Sequence, residues 1–148
     1  MDLKKLKAEL IFDEGRRTIP YKDPSGHWTG GVGHNLDAHK CSWMDISVWL
    51  KAGIPDVVID EWFSQDVDAA INCCRLIFPA FDQLSDNRQR VLVNMAFALM
   101  YELKDWHHLK AAITAKDWQG VALSIMDSEF AHEAPNRCMR LAARMIEK

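Results

Sequence analysis

Residues 13–34 decide most of what this sequence predicts, and they read DEGRRTIPYKDPSGHWTGGVGH. Glu14 stands at the predicted end of a helix, and Asp23 opens a tight turn. Thr29 and His34 follow on a segment that is rich in glycine. Two carboxylates with a hydroxyl and an imidazole nearby suit general acid and base chemistry on a glycosidic bond.

Local signals around this stretch predict its secondary structure. Leucines that recur every three or four positions predict a first helix over residues 3–13, and Gly15 would end it because glycine tolerates the left-handed conformation. The segment 23–26, Asp-Pro-Ser-Gly, fits a type I turn. Residues that favour strands flank this turn, such as Tyr21 and Trp28, so we expect a small antiparallel sheet.

The rest of the chain shows helical spacing of its apolar residues. It predicts a short helix over 42–50 capped by Ser42, a long helix through residues 59–74 that ends before Pro79, a helix capped by Ser85, helices over 106–115 and 118–130, and a last helix that starts at Pro135. The expected fold class is therefore α+β and mainly helical.

Composition limits the class of protein. The 148 residues carry a net charge of −3, which argues against broad nucleic-acid binding. No apolar run approaches the roughly 20 residues of a membrane span, and the N-terminus has no signal-like apolar region, so we expect a cytoplasmic chain. The four cysteines form no Cys-x-x-Cys pair. We therefore expect no metal, no cofactor, and reduced thiols in the core or on the surface.

Each candidate residue has a catalytic and a structural interpretation. The negative end of the helix dipole would disfavour the charged form of Glu14, which suits a proton donor, but a solvated helix end is the alternative. Backbone N–H groups in the turn would keep Asp23 ionised, yet aspartate opens type I turns for structural reasons alone. Thr29 and His34 are weaker candidates alone, since threonine is common on strands and His34 could be a neutral core histidine with one satisfied hydrogen bond. Gly30, Gly31 and Gly33 indicate turns and close packing, since no phosphate-loop frame surrounds them.

The motifs taken together are more specific than their parts. Glu14-Gly15, Tyr21-Lys22-Asp23, Gly26, Thr29-Gly30 and Gly33-His34 resemble the catalytic segment of the phage-type lysozyme (endolysin, muramidase) family. Residues 63–70, 94–97 and 134–137 resemble later segments of that family in the same order. Three departures stand out: a shorter stretch between His34 and Asp66, a glycine replaced around Met100, and Phe130 where tryptophan is common.

The resemblance implies a fold and a set of roles. The fold would be lysozyme-like, with one domain over 1–148. This domain would consist of an α/β lobe over about 14–58 and a helical lobe over about 59–148, joined by a long helix, with helix 3–13 packed on the helical lobe. The active-site cleft would lie between the two lobes. The implied roles are Glu14 as general acid, Asp23 with Thr29 on the attacking water, Arg137 near Glu14 and Asp13, His34 paired with Asp66, and Phe97 and Asn35 at the substrate. A core role for Phe97 is the alternative.

The resemblance also implies an activity and a setting. We expect an inverting glycoside hydrolase that cuts the β-1,4 bond between N-acetylmuramic acid and N-acetylglucosamine in peptidoglycan, for host cell lysis. It would be a monomer that stays in the host cytoplasm until a holin releases it to the wall in the periplasm, with no nucleic-acid partner. The alternatives are a lytic transglycosylase and a non-catalytic wall-binding or virion component.

Overall fold

The computed structural model describes residues 1–147, so Lys148, the last residue of the predicted domain, lies outside the described residues. The elements in chain order are α1 (Leu3–Glu14), β1 (Arg17–Lys22), β2 (Trp28–Gly31), β3 (His34–Asn35), α2 (Trp43–Ala52), α3 (Asp56–Ile77), α4 (Asp86–Leu99), α5 (His107–Ala115), α6 (Trp118–Met126), α7 (Glu129–Glu133) and α8 (Pro135–Ile146). Short 3-10 helices cover Phe81–Gln83 and Met100–Asp105. The predicted α+β, mainly helical class is confirmed.

The chain divides into two compact units. The N-terminal unit spans Lys4–Asp68, and the C-terminal unit contains Met1–Leu3 together with the chain from Ala69 onward. The boundary therefore falls inside α3, later than the predicted 58/59, and α1 clusters with the sheet rather than with the helical lobe. Within this unit, Lys7 Nζ on α1 donates to Ser64 Oγ on α3 at 2.9 Å, which holds α1 against the first part of α3. The single domain and its cleft stay predictions.

In the N-terminal unit, the three strands form an antiparallel sheet in the order β1-β2-β3. Tyr21 pairs with Thr29, and Thr29 pairs with Asn35. Gly30 is close-packed, since a Cβ there would lie 2.4 Å from Ile54 Cδ1. The buried apolar side chains of this unit include Leu6, Leu10, Val32, Leu36, Ile46, Ile54, Ile59, Phe63 and Val67. The sheet that carries the candidate residues is thus anchored on a buried apolar layer.

In the C-terminal unit, α8 is the central helix. It packs against α4, α6 and α7, and its buried face carries Leu141 and Met145. Asn87 Nδ2 at the start of α4 donates to Arg144 O at 2.8 Å, and Arg88 Nε donates to Met145 O at 3.1 Å. These bonds satisfy carbonyl groups that the last turn of a helix leaves without partners. Within residues 1–147, none of the helices is both long and apolar enough to cross a bilayer.

Two local predictions need correction. Ser42 caps α2 by accepting from Asp45 N, as predicted, but Ser85 occupies the N-cap position of α4 without a side-chain capping bond. The predicted single helix over 118–130 is broken into α6 and α7. Ser128 explains the break, because its Oγ accepts from Ala131 N and starts a new helix, which competes with continuation of the old one.

The position of the replaced glycine is strained. Met100 ends α4 with φ +48° and ψ −128°, a conformation that residues with a Cβ rarely adopt. The chain then continues as the 3-10 helix Met100–Asp105, which periodicity did not predict. The departure noted in the sequence therefore has a structural counterpart, since the turn that favours glycine is kept although methionine occupies it.

Candidate active site

Glu14 is positioned by the end of α1 and by the turn between β2 and β3. It is the last residue of the helix, and Gly15 follows with φ +74° while its N–H donates to Ile11 O at 2.8 Å. Gly33 has φ +64°, and a Cβ on it would lie 3.2 Å from Glu14 Oε2. The half-buried carboxylate therefore lies against a surface that glycine keeps open.

Asp23 is held by the turn that it opens. The turn closes through Gly26 N to Asp23 O at 2.9 Å, and Asp23 Oδ1 accepts the backbone N–H groups of Ser25 at 2.9 Å and His27 at 2.8 Å. The bond from His27 N–H is the main cause that lowers the pKa of Asp23, assisted by the charge of the His27 imidazole and by Ser25 N–H, while partial desolvation opposes them. Asp23 is therefore maintained as a carboxylate.

Thr29 shares one face of the sheet with Tyr21 and Asn35, because it pairs directly with both. Its side chain is buried, and Oγ1 donates to His27 O at 3.1 Å, so the lone pairs of Oγ1 are not used in this bond. Burial raises the pKa of Tyr21, Arg17 opposes this, and the charges of Glu14 and Asp23 add to it. Tyr21 is therefore within electrostatic reach of both carboxylates.

The structure brings His34 and Asp66 together. His34 Nδ1 lies 2.7 Å from Asp66 Oδ2, where a ring N–H donates to a carboxylate. The His34 ring lies between Trp62 (centroids 4.5 Å apart, 10° between planes) and His39 (4.0 Å, 28°). His34 is 3% exposed. Its contact with Asp66 links β3 to α3 inside the N-terminal unit. The predicted pairing is present, and its supporting role in function stays a prediction.

The same cluster contains three residues of types that bind metals. His34, His39 and Asp66 place ligand-type atoms within 4.8 Å of one another. The two imidazoles are stacked, however, so their in-plane lone pairs run side by side and do not converge on one point. His34 Nδ1 is also engaged by Asp66, and His39 Nδ1 lies 2.9 Å from Asn35 O. The geometry suits a hydrogen-bonded stack better than a coordination sphere.

The remaining candidates lie in both units. Asp13 is half-buried beside Glu14 on α1, and Asn35 Oδ1 accepts from Ala38 N at 2.9 Å. In the C-terminal unit, Phe97 is half-buried on α4. Arg137 is 9% exposed and donates to Asn94 Oδ1 at 2.8 Å and Asn94 O at 3.0 Å, with Phe130 beneath its guanidinium. The approach of Arg137 to Glu14 and Asp13 stays a prediction, as do the substrate roles of Phe97 and Asn35.

Comparison with known proteins also supports the resemblance to lysozymes. The probable T4-type lysozyme 2 of Dictyostelium discoideum is 26% identical to this chain over an alignment of 154 positions, gaps included, which covers 92% of this chain and 90% of the relative. The probable T4-type lysozyme 1 of the same organism is 24% identical, with the same coverage of both chains. This chain resembles the T4-type lysozymes. No protein-family model matches it.

Sequence reasoning missed His27 as a residue of this site. His27 contacts both Asp23 and Thr29, through its backbone N–H and its carbonyl oxygen. Part of the signal was available, because an aspartate that opens a turn accepts backbone N–H groups from the residues of that turn. The side chain of His27 also approaches Asp23, with Nδ1 at 3.5 Å from Oδ2. This contact adds the His27 side chain to the groups around Asp23.

Proposed function

We propose that this chain is a glycoside hydrolase that degrades peptidoglycan, as the name of its T4-type lysozyme relatives suggests. The observation that carries the proposal is the assembly of Glu14, Asp23 and Thr29 in one compact unit. Glu14 ends α1 against Gly33, and Asp23 and Thr29 are joined through His27. These residues supply the groups that hydrolysis requires, a proton donor together with a carboxylate and a hydroxyl to hold water.

The chemistry divides between the two carboxyl groups. Glu14, protonated, donates its proton to the glycosidic oxygen as the bond to the sugar carbon breaks. Asp23 stays ionised because two backbone N–H groups donate to its Oδ1. Asp23 then accepts a proton from the attacking water, which Thr29 Oγ1 helps to orient. The water oxygen bonds to the sugar carbon, so that one water is consumed for each bond cut.

The finer parts of the proposal follow the family resemblance. The bond cut is the β-1,4 bond between N-acetylmuramic acid and N-acetylglucosamine, and the reaction inverts the anomeric carbon. The biological role is host cell lysis by a monomer that a holin releases from the host cytoplasm to the wall. NMR of the first product anomer tests inversion, and co-expression with and without a holin tests release.

The main test is digestion of purified peptidoglycan by the wild type, Glu14→Gln and Glu61→Gln, with product ends identified by mass spectrometry. Glu61→Gln is the matched control, since Glu61 is an exposed carboxylate on α3 of the same unit. We expect reducing muramic-acid ends from the wild type and from Glu61→Gln, and a loss of about 10²- to 10⁴-fold in Glu14→Gln.

Other results would select the alternatives. Anhydro ends would indicate a lytic transglycosylase and would remove the water-positioning roles of Asp23 and Thr29. No cleavage by folded wild-type protein would favour a non-catalytic wall-binding or virion component. Equal activity of Glu14→Gln and Glu61→Gln would remove Glu14 as the acid.

A further inference from the structure

His27 connects two of the three candidate catalytic residues. Its backbone N–H donates to Asp23 Oδ1 at 2.8 Å, and its carbonyl oxygen accepts from Thr29 Oγ1 at 3.1 Å. Its imidazole Nδ1 lies 3.5 Å from the second carboxylate oxygen, Asp23 Oδ2. The two backbone contacts would survive most substitutions, whereas the imidazole contact belongs to histidine.

The two oxygens of Asp23 have different surroundings. Oδ1 accepts two backbone N–H groups, from Ser25 and His27, so its orientation follows from the turn alone. Oδ2 faces the imidazole, which is about half exposed at 52%, while the Asp23 side chain is 28% exposed. A protonated imidazole at this distance forms an ion pair with the carboxylate, and a neutral one with its proton on Nδ1 still points a dipole at Oδ2.

We propose that the His27 side chain is a positioning residue for Asp23, which keeps that carboxylate ionised and aimed at the attacking water as the medium becomes acidic. The inference rests on the proposed hydrolytic function and deepens it. A positive charge on the imidazole lies next to Oδ2 and opposes protonation of Asp23. The enzyme would therefore hold its base in the active form over a wider acidic range than the turn alone allows.

The other charged groups around His27 do not replace this effect. Lys22 Nζ, on β1, donates to Gly26 O at 3.0 Å and lies 4.6 Å from the Trp28 ring centroid. Asp37, which follows β3, accepts Trp28 N–H through Oδ2 at 2.8 Å. Lys22 is thus a cation that contacts the turn carbonyl and an indole ring, and Asp37 is an anion that accepts a hydrogen bond from the strand backbone. The imidazole is the cationic group that faces Oδ2 in the described contacts.

The test compares the wild type with His27→Gln, His27→Lys and His108→Gln. His27→Gln removes the titratable charge, and His27→Lys keeps a cation at every pH used. His108→Gln is the matched control, because His108 is an exposed histidine of α5, outside this turn. Two readouts are taken: the titration of the Asp23 carboxyl carbon by NMR, and the pH profile of kcat and KM on peptidoglycan, with circular dichroism at each pH to verify folding.

We expect His27→Gln to shift the Asp23 titration to higher pH. Its kcat should fall about two- to fivefold relative to the wild type near pH 4 and stay within about twofold near pH 7, with KM unchanged. In His27→Lys, the Asp23 titration and the kcat near pH 4 should be close to those of the wild type. His108→Gln should change neither quantity.

The two readouts separate the positioning role of His27 from the proposed hydrolytic function. An unchanged Asp23 titration in His27→Gln would overturn the positioning role, whatever the activity. A shifted titration with an unchanged acidic limb of kcat would also overturn it, because Asp23 would then not limit the reaction. If the wild type shows no cleavage while the titration shifts, the coupling of the two side chains stands, and both the proposed hydrolysis and the catalytic use of His27 fall.

Discussion

Glu14 packs directly against the backbone of Gly33, since a Cβ on Gly33 would lie 3.2 Å from Glu14 Oε2 and 3.7 Å from Glu14 Cβ. The two residues come from different elements, the end of α1 and the turn after β2. Gly33 also has φ +64°, where a side chain is strained. The absence of a side chain at position 33 thus sets where the proposed proton donor lies.

Gly33→Ala should therefore lower activity more than stability alone explains. We expect about 1–2 kcal/mol of destabilisation from the left-handed backbone and a loss of about tenfold or more in kcat, because the new methyl group displaces the carboxylate. Gly53→Ala is the control, since Gly53 has φ +81° but only ordinary contacts of 3.7 Å. Thermal unfolding and turnover per folded molecule measure both effects, and equal turnover in the two variants would contradict the positioning argument.

Two substitutions at Thr29 should separate the effect of its hydroxyl on activity from the effect of its side-chain packing. Thr29→Val keeps the β-branched shape in a buried strand position but removes Oγ1, which donates to His27 O. We expect kcat to fall about 10²-fold in Thr29→Val and to stay within about tenfold in Thr29→Ser, which keeps a hydroxyl. Steady-state kinetics at saturating peptidoglycan measures the change. Equal rates for the valine and serine variants would exclude a role for the hydroxyl.

Met100→Gly should stabilise the protein. Methionine at φ +48° and ψ −128° carries strain of about 1–3 kcal/mol, which glycine removes, against a smaller loss from the half-buried side chain and from backbone entropy. We expect a net gain of about 1 kcal/mol in the free energy of unfolding. Met100→Ala is the comparison, because it loses the side chain and keeps the strain. Denaturant titration should rank glycine above methionine and methionine above alanine, and any order with glycine last would show that the strain is absent.

Cysteine reactivity should follow burial and pH. Cys73, Cys74 and Cys138 are buried, whereas Cys41 is half-buried. Burial raises the pKa of the Cys41 thiol, and the charges of Asp45 and Asp37 add to this. Because the thiolate is the reactive form, native protein should show one accessible thiol that reacts slowly at neutral pH and faster as the pH rises.

A thiol-specific chromogenic reagent measures this rate. All four cysteines should react after unfolding, and Cys41→Ser should remove the native-state reaction. A fast thiol that persists in Cys41→Ser would mean that one of the three buried cysteines becomes exposed in solution.

Much of the fold follows from local sequence signals. Gly15 ends α1 and the turn at Asp23 closes on Gly26, as predicted from residue types that tolerate or favour those backbone conformations. Ser128 shows where such signals were misread. Its hydrogen bond to Ala131 N starts a new helix at a position where apolar periodicity alone predicted continuation.

The sequence by itself determined most of the elements and their order, because helix ends, turns and strand pairing over a few residues depend on interactions within short segments. The tertiary structure decided what those elements bring together: Glu14 against Gly33, and His34 between Trp62 and His39. These contacts depend on how side chains from different segments pack, and propensities within one segment carry no information about that packing.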